Sequence, residues 1–239
     1  MRYTKEKIEL EENGYSVLSN LYSENEISQM LSCIENAEQD ESSFMKTKDL
    51  FAIRQLIKNV PLLPDLLFNE KMIALISELH QSECFLTKAI YFDKPSKSNW
   101  FVAYHQDLSI SVDKKADLEK YVNWTYKKGQ FGVQPPIAIL QDTITIRIHL
   151  DKTDRNNGAL KVIPKSHFGI VRAESKDWEI DKEFICEVER GGVMLMKPLT
   201  LHASNRTTNG KQRRVIHLEF NKHTLKEPLD WLEYYRIEK

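Results

Sequence analysis

A chain of 239 residues has room for one domain with terminal elaborations and is cramped for two. Its 34 basic and 35 acidic residues leave a formal net charge of −1, which gives no electrostatic case for nucleic acid or an anionic membrane surface. The opening MRYTKEKIELEENGY has no signal-peptide pattern, no apolar run approaches the roughly 20 residues of a membrane span, and Cys33, Cys84 and Cys186 are scattered without a CxxC pair, so reduced thiols in a cytoplasmic protein are expected.

The first third, to about residue 83, reads as helical. Ser23 precedes Glu26 by three residues in a capping-box pattern, and Ile27, Met30, Leu31 and Ile34 follow at helical spacing. A further helix is predicted over Asn69 to Leu79, with Met72, Ile73, Ile76 and Leu79 as its apolar stripe and Pro61 and Pro64 breaking the chain before it. From about Cys84 the period becomes two. Leu86 to Phe92 reads as a strand ending at an Asp93-Lys94-Pro95 turn. The charged run Asp113 to Lys120 reads as a solvated helix within a loop or lid near 110–136. Trp124, Tyr126 and Phe131, followed by Gln134-Pro135-Pro136, either wall a substrate pocket or pack that loop onto the core.

Thr143 to Leu150 alternates most cleanly, with Ile144, Ile146, Ile148 and Leu150 opposite Thr145, Arg147 and His149. Arg213 to Phe220 repeats the theme, setting Arg214, Ile216, Leu218 and Phe220 against Arg213, Val215, His217 and Glu219. Turns rich in Asn and Gly separate such strands: Asn156-Asn157-Gly158, Gly191-Gly192 and Asn209-Gly210. The last segment, 223–239, is expected as a C-terminal helix. Strands with one greasy and one polar side suit a β-sandwich or jelly roll, apolar sides packed on the N-terminal helices and polar sides lining a cavity. A cavity lined by Thr, Arg, His and Glu is costly unless those groups bind something.

The chemistry concentrates in His105-Gln106-Asp107 and His202, with Arg213 behind them. Two imidazoles and one carboxylate are the set that holds a non-haem Fe(II) on one face and leaves the other open. On an extended strand His105 and Asp107 project to one side, and His202 must come from another strand. Arg213 stands where an acidic co-substrate would need an anchor. In the bland alternative His105 is a loop residue and His202 a turn residue, which leaves His202, Ser204 and Arg213 no reason to gather. His149 and His217 on the polar faces fit either a direct role or a structural hydrogen bond. His167 reads as structural, Lys88 as able to reach the cavity mouth, and Glu219 as a partner for a lumen cation.

With Phe92-Asp93-Lys94-Pro95, Asn99-Trp100, His105-Gln106-Asp107-Leu108, Arg147 to Asp151, Asn157 to Leu160, Val162 to His167, His202-Ala203-Ser204 and Arg213-Arg214 in hand, the chain resembles the phytanoyl-CoA dioxygenase family of Fe(II)/2-oxoglutarate oxygenases. The N-terminal Asn13-Gly14-Tyr15 and the Phe51 to Arg54 segment extend the likeness. The resemblance implies a mainly β fold with flanking helices: a double-stranded β-helix (jelly roll, cupin-like) core over about 84–222, with N-terminal helices packed on the outer sheet. It implies His105, Asp107 and His202 as iron ligands and Arg213 and Ser204 on 2-oxoglutarate, with Arg147, Arg54 and Ile90 as further co-substrate contacts. The family's Pro-Gly-Ser-His turn appears as Pro164-Lys165-Ser166-His167, a departure expected to touch a surface turn only.

The implied reaction uses Fe(II), 2-oxoglutarate and O2, releases succinate and CO2, and hydroxylates a small molecule. A halogenating relative would need Asp107 replaced by a small residue. The alternative is a non-catalytic metal- or small-acid-binding protein on the same scaffold. Neither nucleic acid nor membrane is expected as a partner. Substrate and oligomeric state do not follow from the sequence.

Overall fold

The computed structural model describes residues 2–37, 44–46, 51–80, 83–96, 101–171 and 180–237, with backbone alone for 44–46 and 180. The Asn99-Trp100 motif lies outside the described residues. Helices, numbered in chain order, are α1 (Thr4–Asn13), α2 (Glu24–Glu35), α3 (Leu56–Asn59), α4 (Leu63–Leu67), α5 (Glu70–His80) and α6 (Ile137–Gln141). The strands are β1 (Tyr15–Leu18), β2 (Phe44–Lys46), β3 (Phe51–Arg54), β4 (Phe85–Lys94), β5 (Val102–His105), β6 (Ile110–Val112), β7 (Val122–Lys127), β8 (Gln130–Gln134), β9 (Ile144–His149), β10 (Leu160–Val162), β11 (Phe184–Cys186), β12 (Val193–Met196), β13 (His202–Ser204) and β14 (Arg213–Asn221).

Seven strands in the order β1-β12-β9-β14-β4-β3-β2 make the major sheet, and β11-β10-β13-β5 make the minor one. All of their pairings are antiparallel. This is the expected mainly β, jelly-roll architecture. Alternation decides which face of the major sheet turns inward. Ile144, Ile146 and Ile148 of β9 and Ile216, Leu218 and Phe220 of β14 share one buried cluster with Leu10, Ile27, Met30, Leu75 and Ile76 of the N-terminal helices. Each such side chain, fully withdrawn from water, contributes about 1.5–3 kcal/mol. With that face committed to helices, Arg147, His149, Arg213, His217 and Glu219 are turned to the other side by the same alternation, and all five are buried.

The capping box on α2 forms as expected: Ser23 Oγ accepts from the Glu26 N–H, and Glu26 accepts from the Ser23 N–H at 2.7 Å. Gly14 ends α1 at φ +84° and leads straight into β1 at the sheet edge. Its carbonyl accepts the Lys197 N–H at 2.9 Å and the Thr200 hydroxyl at 2.7 Å. The turn after α1 is thereby tied to the loop that delivers His202.

Four expectations need correction. The first third is not helical throughout, because β1, β2 and β3 all join the major sheet. Residues 110–136 are not a plain loop: β6, β8 and β7 form a third, antiparallel sheet. The run Asp113 to Lys120 contains no helix. Its first residue instead exchanges bonds with the C-terminal segment, the Asp113 N–H donating to the Asp230 carbonyl at 3.1 Å and Asp113 Oδ1 accepting from the Asp230 N–H at 2.9 Å. Nor is there a C-terminal helix among described residues 223–237, which lie along the sheets through the Val112–Trp231 and Leu86–Tyr235 bridges. Tyr235 and Leu86 exchange both backbone bonds, at 2.9 and 3.1 Å. Partners available only in the fold, strands for the C-terminal segment and Asp230 for Asp113, outweigh local helical propensity.

Candidate metal centre and adjoining cavity

His105 ends β5 and His202 begins β13, and the register sets these two residues directly opposite each other. Their rings lie 4.2 Å apart between centroids. Each Nδ1–H donates to a backbone carbonyl two residues upstream, His105 to Ala103 at 2.9 Å and His202 to Thr200 at 2.8 Å. A carbonyl can only accept, so both Nδ1 atoms carry the proton and both Nε2 lone pairs are free for a ligand. Asp107 sits between them, its carboxylate oxygens 3.7 Å from each Nε2. That is too long for a hydrogen bond and leaves space for one ion about 2.1 Å from each donor. The three ligand atoms fall within 4.8 Å of one another. Burial favours a neutral His202, as a metal ligand must be; Asp107 opposes this and His105 reinforces it. For Asp107 burial pushes the carboxyl upward, but His202, His217, His105 and Lys88 outweigh it and hold it below the usual range.

Gln106, unassigned by sequence, explains how the triad is held. It points opposite to His105 and Asp107 and is buried. Its Nε2 donates to the carbonyls of Leu199 at 2.5 Å and Gly169 at 2.8 Å, while Oε1 accepts the Val171 N–H at 2.8 Å. The Asp107 N–H donates to the Pro198 carbonyl at 2.9 Å. The segment bearing two ligands is thus tethered to the segment leading into the third.

Three buried cations occupy the inward face of the major sheet, Lys94 on β4, Arg213 on β14 and Arg147 on β9. Arg213 pairs in register with Lys94 and donates from Nη1 to the Gly158 carbonyl. Lys94, almost fully buried, donates to the Asn205 carbonyl at 2.8 Å. Arg147 donates to His217 Nδ1 at 3.0 Å, and its Nε has no partner among the described residues. None of the three forms an ion pair among the described residues. Burial drives the Lys94 ammonium down to about 8, with Arg213 adding to the effect. Burial likewise lowers Arg213 to about 9, with Arg147 contributing, and Arg147 to about 10 against the pull of Asp107. Arginine keeps its proton at neutral pH, so this cluster is an unmet demand for anionic charge. Ser204, two residues after His202, shares its face of β13 and is buried. His149 is buried and neutral, bonded through Nδ1 to Thr153 Oγ1 at 2.7 Å, with Nε2 unpartnered among the described residues.

From Arg147 a chain of hydrogen bonds runs along the sheet. Arg147 can only donate, so His217 Nδ1 accepts and Nε2–H donates to Glu219 Oε1 at 2.9 Å. Lys88 Nζ meets both oxygens of Glu219 at 2.8 Å. Lys88 and His217 hold the Glu219 carboxyl below its ordinary range although burial alone would raise it. Glu219 is therefore the expected partner of a lumen cation, and Lys88 is that cation. His167 is structural, its Nε2 donating to the Glu11 carbonyl at 3.1 Å.

A cavity of about 250 Å³ opens from Asp107 between this wall and the third sheet. Lys88, Ile90, Phe92, His217 and Glu219 line one side, and Ile110, Thr125, Lys127, Gln130 and Phe131 the other, with Arg54 also on its wall. Phe131 is thus a pocket wall, Trp124 packs into the core beneath, and Tyr126 is exposed against Phe131. The structure gathers His105, Asp107 and His202, and groups Arg147 with Arg213. Arg54 and Ile90 line the cavity: Arg54 is opposite Ile90, which is opposite His217, the residue that Arg147 faces from the other side, four residues along β14 from Arg213. Lys94 was missed because Asp93-Lys94-Pro95 reads as a turn. Continuing the alternation of Lys88, Ile90 and Phe92 by one step puts Lys94 on the inward face.

Solved structures that share this architecture include the following three. HygX from Streptomyces hygroscopicus, with nickel, 2-oxoglutarate and hygromycin B bound, is 15% identical and aligns over 94% of this chain and 89% of its own with a TM-score of 0.65. EctD from S. alaskensis, with 2-oxoglutarate and 5-hydroxyectoine, gives 17% identity, 94% and 78% coverage and a TM-score of 0.72. SnoK, a non-haem alpha-ketoglutarate-dependent carbocyclase from nogalamycin biosynthesis, gives 14%, 92% and 83%, and 0.66. No curated protein matches by sequence. Residues 10–215 match the family model described as phytanoyl-CoA dioxygenase.

Proposed function

Because the chain belongs to the phytanoyl-CoA dioxygenase family, we propose that it is an Fe(II)- and 2-oxoglutarate-dependent oxygenase that hydroxylates a small molecule. The observation that carries this reading is the pairing of an open two-histidine, one-carboxylate triad with buried cations that lack an anion. A metal-only binding protein has no use for that second feature.

The residues fit both the metal and the co-substrate. His105 Nε2, His202 Nε2 and Asp107 would hold Fe(II), each imidazole fixed in tautomer by the carbonyl behind it. Arg213 would receive the far carboxylate of 2-oxoglutarate with Lys94 alongside, Ser204 would donate its hydroxyl, and Arg147 would balance charge nearer the metal. When bound, Fe(II), 2-oxoglutarate and O2 supply the oxidation: the diacid is converted to succinate and CO2, and one oxygen atom is inserted into a substrate C–H bond. The chain's own groups bind, orient and exclude water. Burial makes the cation cluster both hungry for a dianion and inaccessible to bulk salt. The Arg147–His217–Glu219–Lys88 chain fixes the rotamers on the wall facing the cavity. Asp107 occupies the position where a halogenating enzyme would need space, which supports hydroxylation.

The deciding experiment is anaerobic reconstitution with Fe(II) and 2-oxoglutarate, expected to give the weak visible charge-transfer band of a chelated 2-oxo acid. Admission of O2 should then release succinate. Iron binding without that band or succinate would leave a metal-binding protein. No helix among the described residues is long and apolar enough to cross a membrane.

A further inference from the structure

The cavity beyond Asp107 carries information about what enters it. Its volume of about 250 Å³ is a little below the range of roughly 300–1,000 Å³ found for drug-sized ligands. The charges on its walls are unequal. Lys88 is neutralised by Glu219 through two contacts of 2.8 Å, and Asp107 faces the two ligand imidazoles. Arg54 stands apart from them. Among the described residues no carboxylate pairs with its guanidinium, and its buried Nε has no hydrogen bond. Lys127 adds a second positive charge at the exposed rim.

Resting on the oxygenase reading above, we propose that the substrate is a small hydrophilic anion whose carboxylate or phosphate is received by Arg54. Family resemblance alone would send Arg54 to 2-oxoglutarate. The cavity argues otherwise: Arg54 is on the wall of the space that opens from Asp107, and neither Arg213 nor Arg147 is among the residues lining it. Arg54 instead shares the cavity with Lys88 and Glu219, whose paired charges offer a donor and an acceptor to hydroxyl or amino groups on the same molecule. Phe92 and Phe131 supply apolar walls for its carbon skeleton. The planar guanidinium favours bidentate contact with either anion, and Lys127 at the rim steers it inward.

Calorimetric titration of acetate, inorganic phosphate and acetamide into the Ni(II)-loaded protein, with saturating 2-oxoglutarate, tests this. At least one of the two anions should bind the wild type in the millimolar range, and neutral acetamide should not. Acetate preferred points to a carboxylate, phosphate preferred to a phosphate ester. Binding should fall at least tenfold in Arg54→Gln and recover in Arg54→Lys, with 2-oxoglutarate affinity unchanged within about twofold in both. Three results would overturn the proposal: neither anion binds, Arg54→Gln binds as well as wild type, or Arg54→Gln loses 2-oxoglutarate instead. Should 2-oxoglutarate fail to bind the wild type while the anion still depends on Arg54, the oxygenase reading falls and the anion site stands.

Discussion

Arg213→Met should make the protein more stable when empty and less responsive to its co-substrate. Arg213 is 8% exposed, has no carboxylate partner among the described residues, and is pushed far down, to about 9, by burial and Arg147. A shift of that size corresponds to at most about 5 kcal/mol of unfavourable burial. Methionine retains the stem's volume and forfeits the bond to the Gly158 carbonyl, worth about 1 kcal/mol plus the desolvation of the carbonyl. The net gain is then about 1–3 kcal/mol, or a rise in Tm of roughly 2–4 °C per kcal/mol for a chain of this size. Losing a charge-assisted contact of about 1.5–3 kcal/mol raises the 2-oxoglutarate Kd about 10- to 150-fold. Thermal unfolding of the Ni(II)-loaded proteins, with and without co-substrate, reads both effects together. At a concentration of about 100 times the wild-type Kd, 2-oxoglutarate should stabilise wild type by about 2.7 kcal/mol and the variant by only about 0.3–1.4 kcal/mol. A variant less stable than wild type when empty, yet stabilised equally by 2-oxoglutarate, would make Arg213 a structural residue and refute the reasoning.

Lys94, held near 8 by burial and Arg213, must be protonated to receive an anion; the wild-type 2-oxoglutarate Kd should therefore rise as pH climbs above about 8, and calorimetry on Lys94→Met should find the affinity weaker and flat with pH over that range. Glu219→Ala strands Lys88 and His217 and should destabilise by about 3–5 kcal/mol in urea unfolding, whereas Lys88→Met with Glu219→Leu should recover most of it; equal losses would mean that the pair's charge is irrelevant to stability. In Gly14→Ala the added Cβ would lie 2.5 Å from both His167 Nδ1 and Thr200 Oγ1 at φ +84°, so a loss of about 2–4 kcal/mol is expected together with weaker Ni(II) binding. Unchanged metal affinity in that variant would show that the turn does not position His202.

The parts of this protein that were readable from sequence are those fixed by local period. Alternation in β9 and β14 announces its face assignment because one side is apolar and packs on helices, and His105 and Asp107 share a side for the same geometric reason. What local period cannot convey is which strands become neighbours. The meeting of His202 with His105 depends on register between segments almost a hundred residues apart, and only the family motifs brought them together beforehand. The same blindness produced the errors. Asp113 to Lys120 and the C-terminal Trp231-Leu232-Glu233-Tyr234-Tyr235 stretch have compositions compatible with helix, yet Asp113 bonds to the C-terminal segment and Trp231 and Tyr235 bridge to distant strands. Lys94 failed differently: a charged residue before proline looks like a turn until the sheet is seen to bury it beside Arg213. A lysine is withdrawn from water at considerable free-energy cost, and such a residue is retained where an anion offsets that cost. On the proposed function Lys94 is a second anchor for the co-substrate beside Arg213, a role that neither its residue type nor the turn motif disclosed.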